Sequence, residues 1–395
     1  MKLNRLWVLT AAAAALLAAC GGGDPYVPGT GTTAGAPTTK VTFTSVVSFG
    51  DSLSDAGAYA PATSLTGNGQ PPYFGGKFTT NSATGTVWVE NLATALGLVT
   101  TPAEVGFAGS SVKCPAAANP QLASTCTAYG QGGARVTDPA GIGNNGGRGA
   151  LTVPMVKQIA NHLARFSTFK GTDLVLVFGG NNDVFVQAST LSAKAAQIQA
   201  DAAAGKINAD QANNLLLSAQ LDAQSQLKTA ATELAAAVKD QILGKGAKYV
   251  VVWNLPDSSM SPYGKSLPAS GQSTLTTLVD TFNLWLREGL KDQPVQLFDA
   301  NALFKEVYLN PGKYGIANNQ IPACDAAKIG AITGGAVTDG SSLFCNSTPG
   351  APFNGLRTGA DIRTWQFADG VHPTTGGHKV MSDQFLNVLK SYGWL

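Results

Sequence analysis

The chain has 395 residues, 44% of them hydrophobic and only 13% charged, with a formal net charge of +2. That is enough material for a sizeable core, in one large domain or two. The charged fraction is about half the usual share and no Lys/Arg run stands out, which argues against a nucleic-acid partner.

The first segment is read as export machinery rather than fold. Lys2 and Arg5 form a positive start, and Leu6 to Leu17 is an apolar run too short for a membrane-spanning helix. Leu17-Ala18-Ala19-Cys20 follows, then three glycines. Small residues just before a cysteine resemble a bacterial lipobox, which implies cleavage after residue 19 and acylation of Cys20. An ordinary secretory signal with an incidental Cys20 is the competing reading. More than one acyl chain would hold the protein to a membrane, since a single chain binds only marginally. Gly21 in place of Asp permits the outer membrane if the cell has one. Residues 20–40 are rich in Gly, Thr, Pro and Ala and read as a flexible tether, leaving 41–395 as the folded domain.

From Val41 to Phe49 the sequence is β-rich and ends at Gly50, a strand into a sharp turn. Thr86 to Leu98 has helical spacing, residues 130–149 form a Gly-rich loop, and Leu151 to Phe169 reads as an amphipathic helix. Asp173 to Phe178 is a continuous apolar run before Gly179-Gly180, as in a buried parallel strand. Residues 187–243 are Ala-, Gln- and Leu-rich with few breakers and read as two or more long helices, either a layer on the sheet or a cap over the site. Lys248 to Trp253 and Val295 to Phe298 are further strands. Residues 310–368 are irregular, and Met381 to Leu389 is a closing helix. Strands alternating with helices predict an α/β fold, three layers α/β/α around a mostly parallel sheet.

Four cysteines remain after Cys20. In an oxidising compartment an even number suggests disulfides. Three connectivities are possible, and the local pairs Cys114–Cys126 and Cys324–Cys345 are favoured. Zinc has little to hold it, with no Cys-x-x-Cys and three histidines in the whole chain.

Ligands of open α/β sheets sit beyond the carboxyl ends of the strands. Phe49 to Asp55, Gly179 to Asp183 and Asp369 to Pro373 are polar segments at such places or near the C-terminus. Serine needs a base to take its proton, and the base needs an orienting acid. His372 has Asp369 in the same short loop. His162 and His378 lack an evident acid partner and read as solvated side chains.

These segments resemble the GDSL family of serine esterases and lipases, the SGNH hydrolases. Gly50-Asp51-Ser52-Leu53 with Asp55 is similar to its first block, Gly180-Asn181-Asn182-Asp183 to its third, and Asp369 to His372 to its fifth. The resemblance covers most of residues 43–390. It implies Ser52 as nucleophile, His372 as base then acid, and Asp369 as its orienting acid. The implied oxyanion donors are the Ser52 N–H, the Asn182 amide and a second-block glycine. That block departs from the pattern: Ala128 to Arg135 has Ala128 where the family usually has Asn. Gly133 is the expected donor, Gly132 the runner-up, and Phe107-Ala108-Gly109-Ser110 a rival match. Gly141 to Gly146 mimics a dinucleotide fingerprint but follows Asp138-Pro139 rather than a strand. Gly-x-Ser-x-Gly and a P-loop are absent.

The resemblance implies a cofactor-free carboxylic ester hydrolase acting through an acyl-enzyme. Its substrate would be a small acyl ester or a lipid, and no obligate protein partner is evident. An acyltransferase or glycan deacetylase with the same triad is the alternative, and a non-catalytic surface lipoprotein a more distant one.

Overall fold

A computed structural model describes residues 35–63, 75–350 and 353–395. Cys20 and the signal segment lie outside the described residues. Six strands form one parallel sheet: β1 (Ser45–Gly50), β2 (Thr101–Pro102), β5 (Cys126–Ala128), β6 (Asp173–Phe178), β7 (Tyr249–Trp253) and β8 (Gln296–Phe298). Their spatial order is β2-β5-β1-β6-β7-β8. β6 and β7 are buried at every residue, which is why they read as unbroken apolar runs. β1 pairs with β6 from Ser45↔Asp173 to Gly50↔Phe178, so the two strands end level.

Helices flank this sheet, as the expected α/β class requires. α1 (Trp88–Ala95) packs against α7 (Thr375–Ser391), while α2 (Met155–Phe166) packs against α4 (Ala209–Ala237); α1 and α2 both touch β1. α3 (Asn181–Ala203) and α4 pack on each other and on α5 (Ala269–Gly289); α6 (Ala300–Leu309) follows β8. One core cluster runs from Phe43 to Trp394, with the Trp88 and Trp253 rings tilted against each other at 4.3 Å between centroids. The Ala- and Leu-rich stretch is therefore a layer of the body. Leu227, Ala231 and Leu234 of α4 are fully buried, whereas Leu217 and Leu221, nearer its start, are exposed.

Three differences from the sequence reading have physical causes. The tether was expected to reach residue 40, but the Trp394 indole donates to the Pro37 carbonyl and the Val41 N–H to the Trp394 carbonyl. Residues 37–40 thus belong to the body, docked on the C-terminus. Phe107 to Ser110, the rival second block, is the turn of an antiparallel hairpin, β3 (Glu104–Phe107) with β4 (Ser110–Lys113). Ala108 and Gly109 both have positive φ, 51° and 79°, as a tight two-residue hairpin turn demands. The short strands β2 and β5 have two and three residues, too few for a periodic signal. Both favoured disulfides form, Cys114–Cys126 and Cys324–Cys345.

Candidate active site

The chain leaves β1 toward one edge, through β2 and β5, and then returns past β1 to build β6, β7 and β8. The order reverses at β1, and such a reversal opens a crevice at the strand ends. Ser52 follows β1, Gly133 follows β5 and Asn182 follows β6, so three segments far apart in sequence meet at one place. Gly50 is needed there: a Cβ would lie 2.2 Å from the Phe178 carbonyl oxygen. The Gln158 side chain clamps this strand end by accepting from the Gly50 N–H (2.9 Å) and donating to its carbonyl (2.8 Å).

Ser52 opens a single 3₁₀ turn capped by Asp51, whose carboxylate accepts from the Leu53 N–H at 3.1 Å and the Asn181 amide at 2.9 Å. Ser52 Oγ lies 2.8 Å from His372 Nε2, and His372 Nδ1 lies 2.8 Å from Asp369 Oδ2. With the Nδ1–H donating to the carboxylate, Nε2 is left to accept the serine hydroxyl. Asp369 also accepts from the Val371, His372 and Ser342 N–H groups, at 2.9, 2.8 and 2.8 Å. Burial opposes charge on Asp369, but His372 and these donors outweigh it and hold the carboxyl well below the usual range. Burial likewise opposes a charged His372, yet the Asp369 carboxylate, with Asp51 and Asp339 farther off, raises its pKa.

The second-block loop is tightly held. Asp55 accepts from the N–H groups of Gly57 (2.8 Å), Ala58 (2.6 Å) and Gly132 (2.9 Å), and Tyr59 donates its hydroxyl to the Gly132 carbonyl at 2.7 Å. Gly132, the runner-up donor, therefore has its N–H engaged. Among the described residues the Gly133 N–H meets no acceptor. Gly133 has φ +77°, and a Cβ there would strike the Ile142 carbonyl at 2.0 Å. The Gly-rich segment Gly141 to Gly146 packs behind it, and the Ile142 N–H donates to the Gly133 carbonyl. Asn182, in the first turn of α3, donates one amide hydrogen to the Ala134 carbonyl at 2.9 Å, and the other remains for a ligand. Asp183 locks the same loop through Arg135 and the Val136 N–H, both at 3.0 Å.

Residues 46–385 match the GDSL-like lipase/acylhydrolase family. This chain belongs to that family. Esterase EstA of Pseudomonas aeruginosa and its Pseudomonas putida counterpart are each 29% identical to it over 149 residues, 37% of this chain and 20% of theirs. An uncharacterized protein in the trpE-trpG intergenic region of P. putida is 27% identical over 150 residues, 37% of this chain and 22% of its own. The chain thus spans about a fifth of the length of these curated relatives.

Within this GDSL-family fold the other two histidines are not solvated, contrary to expectation. His162 is 2% exposed and sits among Phe49, Tyr129, Phe166 and Phe169. Burial lowers its pKa to about 4. His378, wholly buried in the first turn of α7, accepts the Trp88 N–H at Nδ1 and donates from Nε2 to the Phe78 carbonyl, both at 3.3 Å. Burial lowers its pKa to about 3. The Phe78 ring in turn packs on His372, 4.8 Å between centroids. Sequence reasoning missed Ser342, Phe78 and Gln158, whose contributions are a backbone N–H, a ring face and a strand-end clamp. Asp55 stood inside a recognised block without a stated role.

Proposed function

We propose that this protein is a carboxylic ester hydrolase acting through an acyl-enzyme on Ser52. The observation that carries the reading is the continuous relay from Ser52 Oγ through His372 to Asp369, each step 2.8 Å. Ser52 Oγ attacks the ester carbonyl carbon while its proton moves to His372 Nε2. The negative oxygen that forms is met by the N–H groups of Ser52 and Gly133 and the free amide hydrogen of Asn182, each such donor being worth about 10²–10³ in rate. Collapse breaks the bond to the alkoxide, which takes the proton from Nε2. Water then repeats the sequence on the acyl-enzyme, and acid and Ser52 are released. Family membership and the likeness to proteins named esterase support an ester substrate over an amide or glycoside.

The test is hydrolysis of p-nitrophenyl acetate and butyrate by the purified protein. Turnover is expected, and Ser52→Ala should abolish it with an unchanged circular dichroism spectrum. Undiminished turnover in that variant would remove Ser52 from the chemistry. Anchoring at the cell envelope through acylated Cys20 rests on residues 1–20 alone. Fatty-acid labelling should be lost in Cys20→Ala, with the protein moving to the soluble fraction; labelling that persists would count against it.

A further inference from the structure

The chemistry assigned to Ser52 leaves the acyl group unplaced, and the fold holds an apolar cavity walled in part by the chain neighbours of Ser52 and His372. The cavity measures about 70 Å³. It lies between the ends of β6 and β7 on one side and α6 and α7 on the other, walled by Phe178, Trp253, Leu303, Val307, Val380 and Met381. Its remaining wall includes Leu53, next in the chain to Ser52, and Val371 and Pro373, the two neighbours of His372. The opposite part of the site is occupied otherwise. Phe78 packs on the His372 ring, and a Cβ at Gly132 would strike that same Phe78 ring at 2.1 Å.

Two groups could enter such a cavity, the acyl chain or the leaving alcohol. The alcohol must depart between the two half-reactions, and water must take its place beside His372 Nε2. A cavity walled mostly by apolar side chains, with Gln366 among the few polar ones, offers the water of deacylation few hydrogen-bond partners, so it is a poor route for that water. The acyl chain stays bound through both steps and gains from burial in each. Resting on the reading of Ser52 as nucleophile, the geometry points to this cavity as the acyl-chain site, one that selects short acyl groups. An apolar cavity of about 150 Å³ accommodates a benzene. One of 70 Å³ corresponds to about three or four chain carbons beyond the carbonyl, hence acyl chains of about four or five carbons. Met381 and Leu303 then set the length limit, from α7 and α6.

The experiment is a p-nitrophenyl ester series from acetate to dodecanoate on the wild type, Met381→Phe, Met381→Ala and Leu303→Ala, with acetate as internal standard. A methylene with or without room in an apolar pocket changes kcat/KM by about tenfold or more. The wild type should peak at butanoate to pentanoate. Met381→Phe should lower the pentanoate-to-acetate ratio about tenfold, and the two alanine variants should move the peak to longer chains. A parallel series of acetate esters with alcohols of increasing length should give the same profile in all four proteins. Ratios that stay constant across the acyl series, or that change across the alcohol series instead, overturn the proposal while acetate turnover keeps the Ser52 reading intact. Absence of turnover on every ester in the wild type is the separate failure of that reading.

Discussion

At the scale of single residues, the site is a set of charges and donors whose protonation can be followed. The Asp369 carboxylate raises the His372 pKa, and in the proposed mechanism His372 must be neutral to accept the serine proton. kcat/KM should therefore fall as pH drops through a value above the ordinary imidazole range of about 6.5. Asp369→Asn should move that limb to lower pH and reduce kcat by about 10⁴; a limb that stays in place would mean that another group sets it. Asn182→Ala should lower kcat about 10²-fold or more with KM nearly constant, because in the proposed mechanism its free hydrogen meets charge that exists only in the transition state. A loss confined to KM would assign Asn182 to ground-state binding. The sequence made these residues visible because each is a reactive side chain in a short recognisable block. It could not show Ser342, since what that residue contributes to Asp369 is a backbone N–H, which any residue but proline supplies.

At the scale of elements, the two disulfides differ in what they hold. Cys324–Cys345 closes a ring around the acid: the Ser342 N–H reaches Asp369, the Cys345 N–H reaches the Ser342 carbonyl, and the Cys324 N–H reaches the Ala368 carbonyl. The same turn receives the Asn81 side chain and N–H, which tie it to the loop of Phe78. Cys114–Cys126 instead joins the end of the β3–β4 hairpin to β5. Removing either pair should cost about 3 kcal/mol of stability in the loop-entropy picture. Only the Cys324→Ala/Cys345→Ala pair should also lower kcat, by about tenfold, when both variants are assayed well below their melting temperatures. Equal kcat in the two double variants would deny the bridge any part in positioning Asp369. The favoured pairing was legible from closeness in sequence. The ring around Asp369 was not, because residues 324, 342 and 369 are joined by loops and one helix, Ala326–Ile332, too short for a periodic signal.

At the scale of the whole molecule, two buried histidines make the fold sensitive to acid. His162 and His378 have folded pKa values of about 4 and about 3, against about 6.5 when unfolded. The unfolded chain therefore binds more protons between those values. The stability these neutral rings leave intact is fully present above about pH 6.5 and is lost as pH falls toward the folded values. His162→Phe, which extends the surrounding aromatic cluster, should recover about 2 kcal/mol at pH 5 relative to pH 7.5, read as a smaller drop in melting temperature on acidification. The same drop in variant and wild type would exclude His162 as a source. Sequence alone suggested solvated rings for both, because burial depends on which helix face meets the sheet. By itself the sequence determined the α/β class, the strands β1, β6 and β7, the cysteines available for pairing and the polar blocks at the strand ends. These are local signals: apolar runs, turn residues and reactive side chains in short spacings. Tertiary structure decided that Gly133 rather than Gly132 keeps a free N–H, that Phe107 to Ser110 is a hairpin turn, and that Leu53, Val371 and Pro373 share the wall of one apolar cavity. Each of those depends on contacts between segments far apart in the chain, which no local pattern encodes.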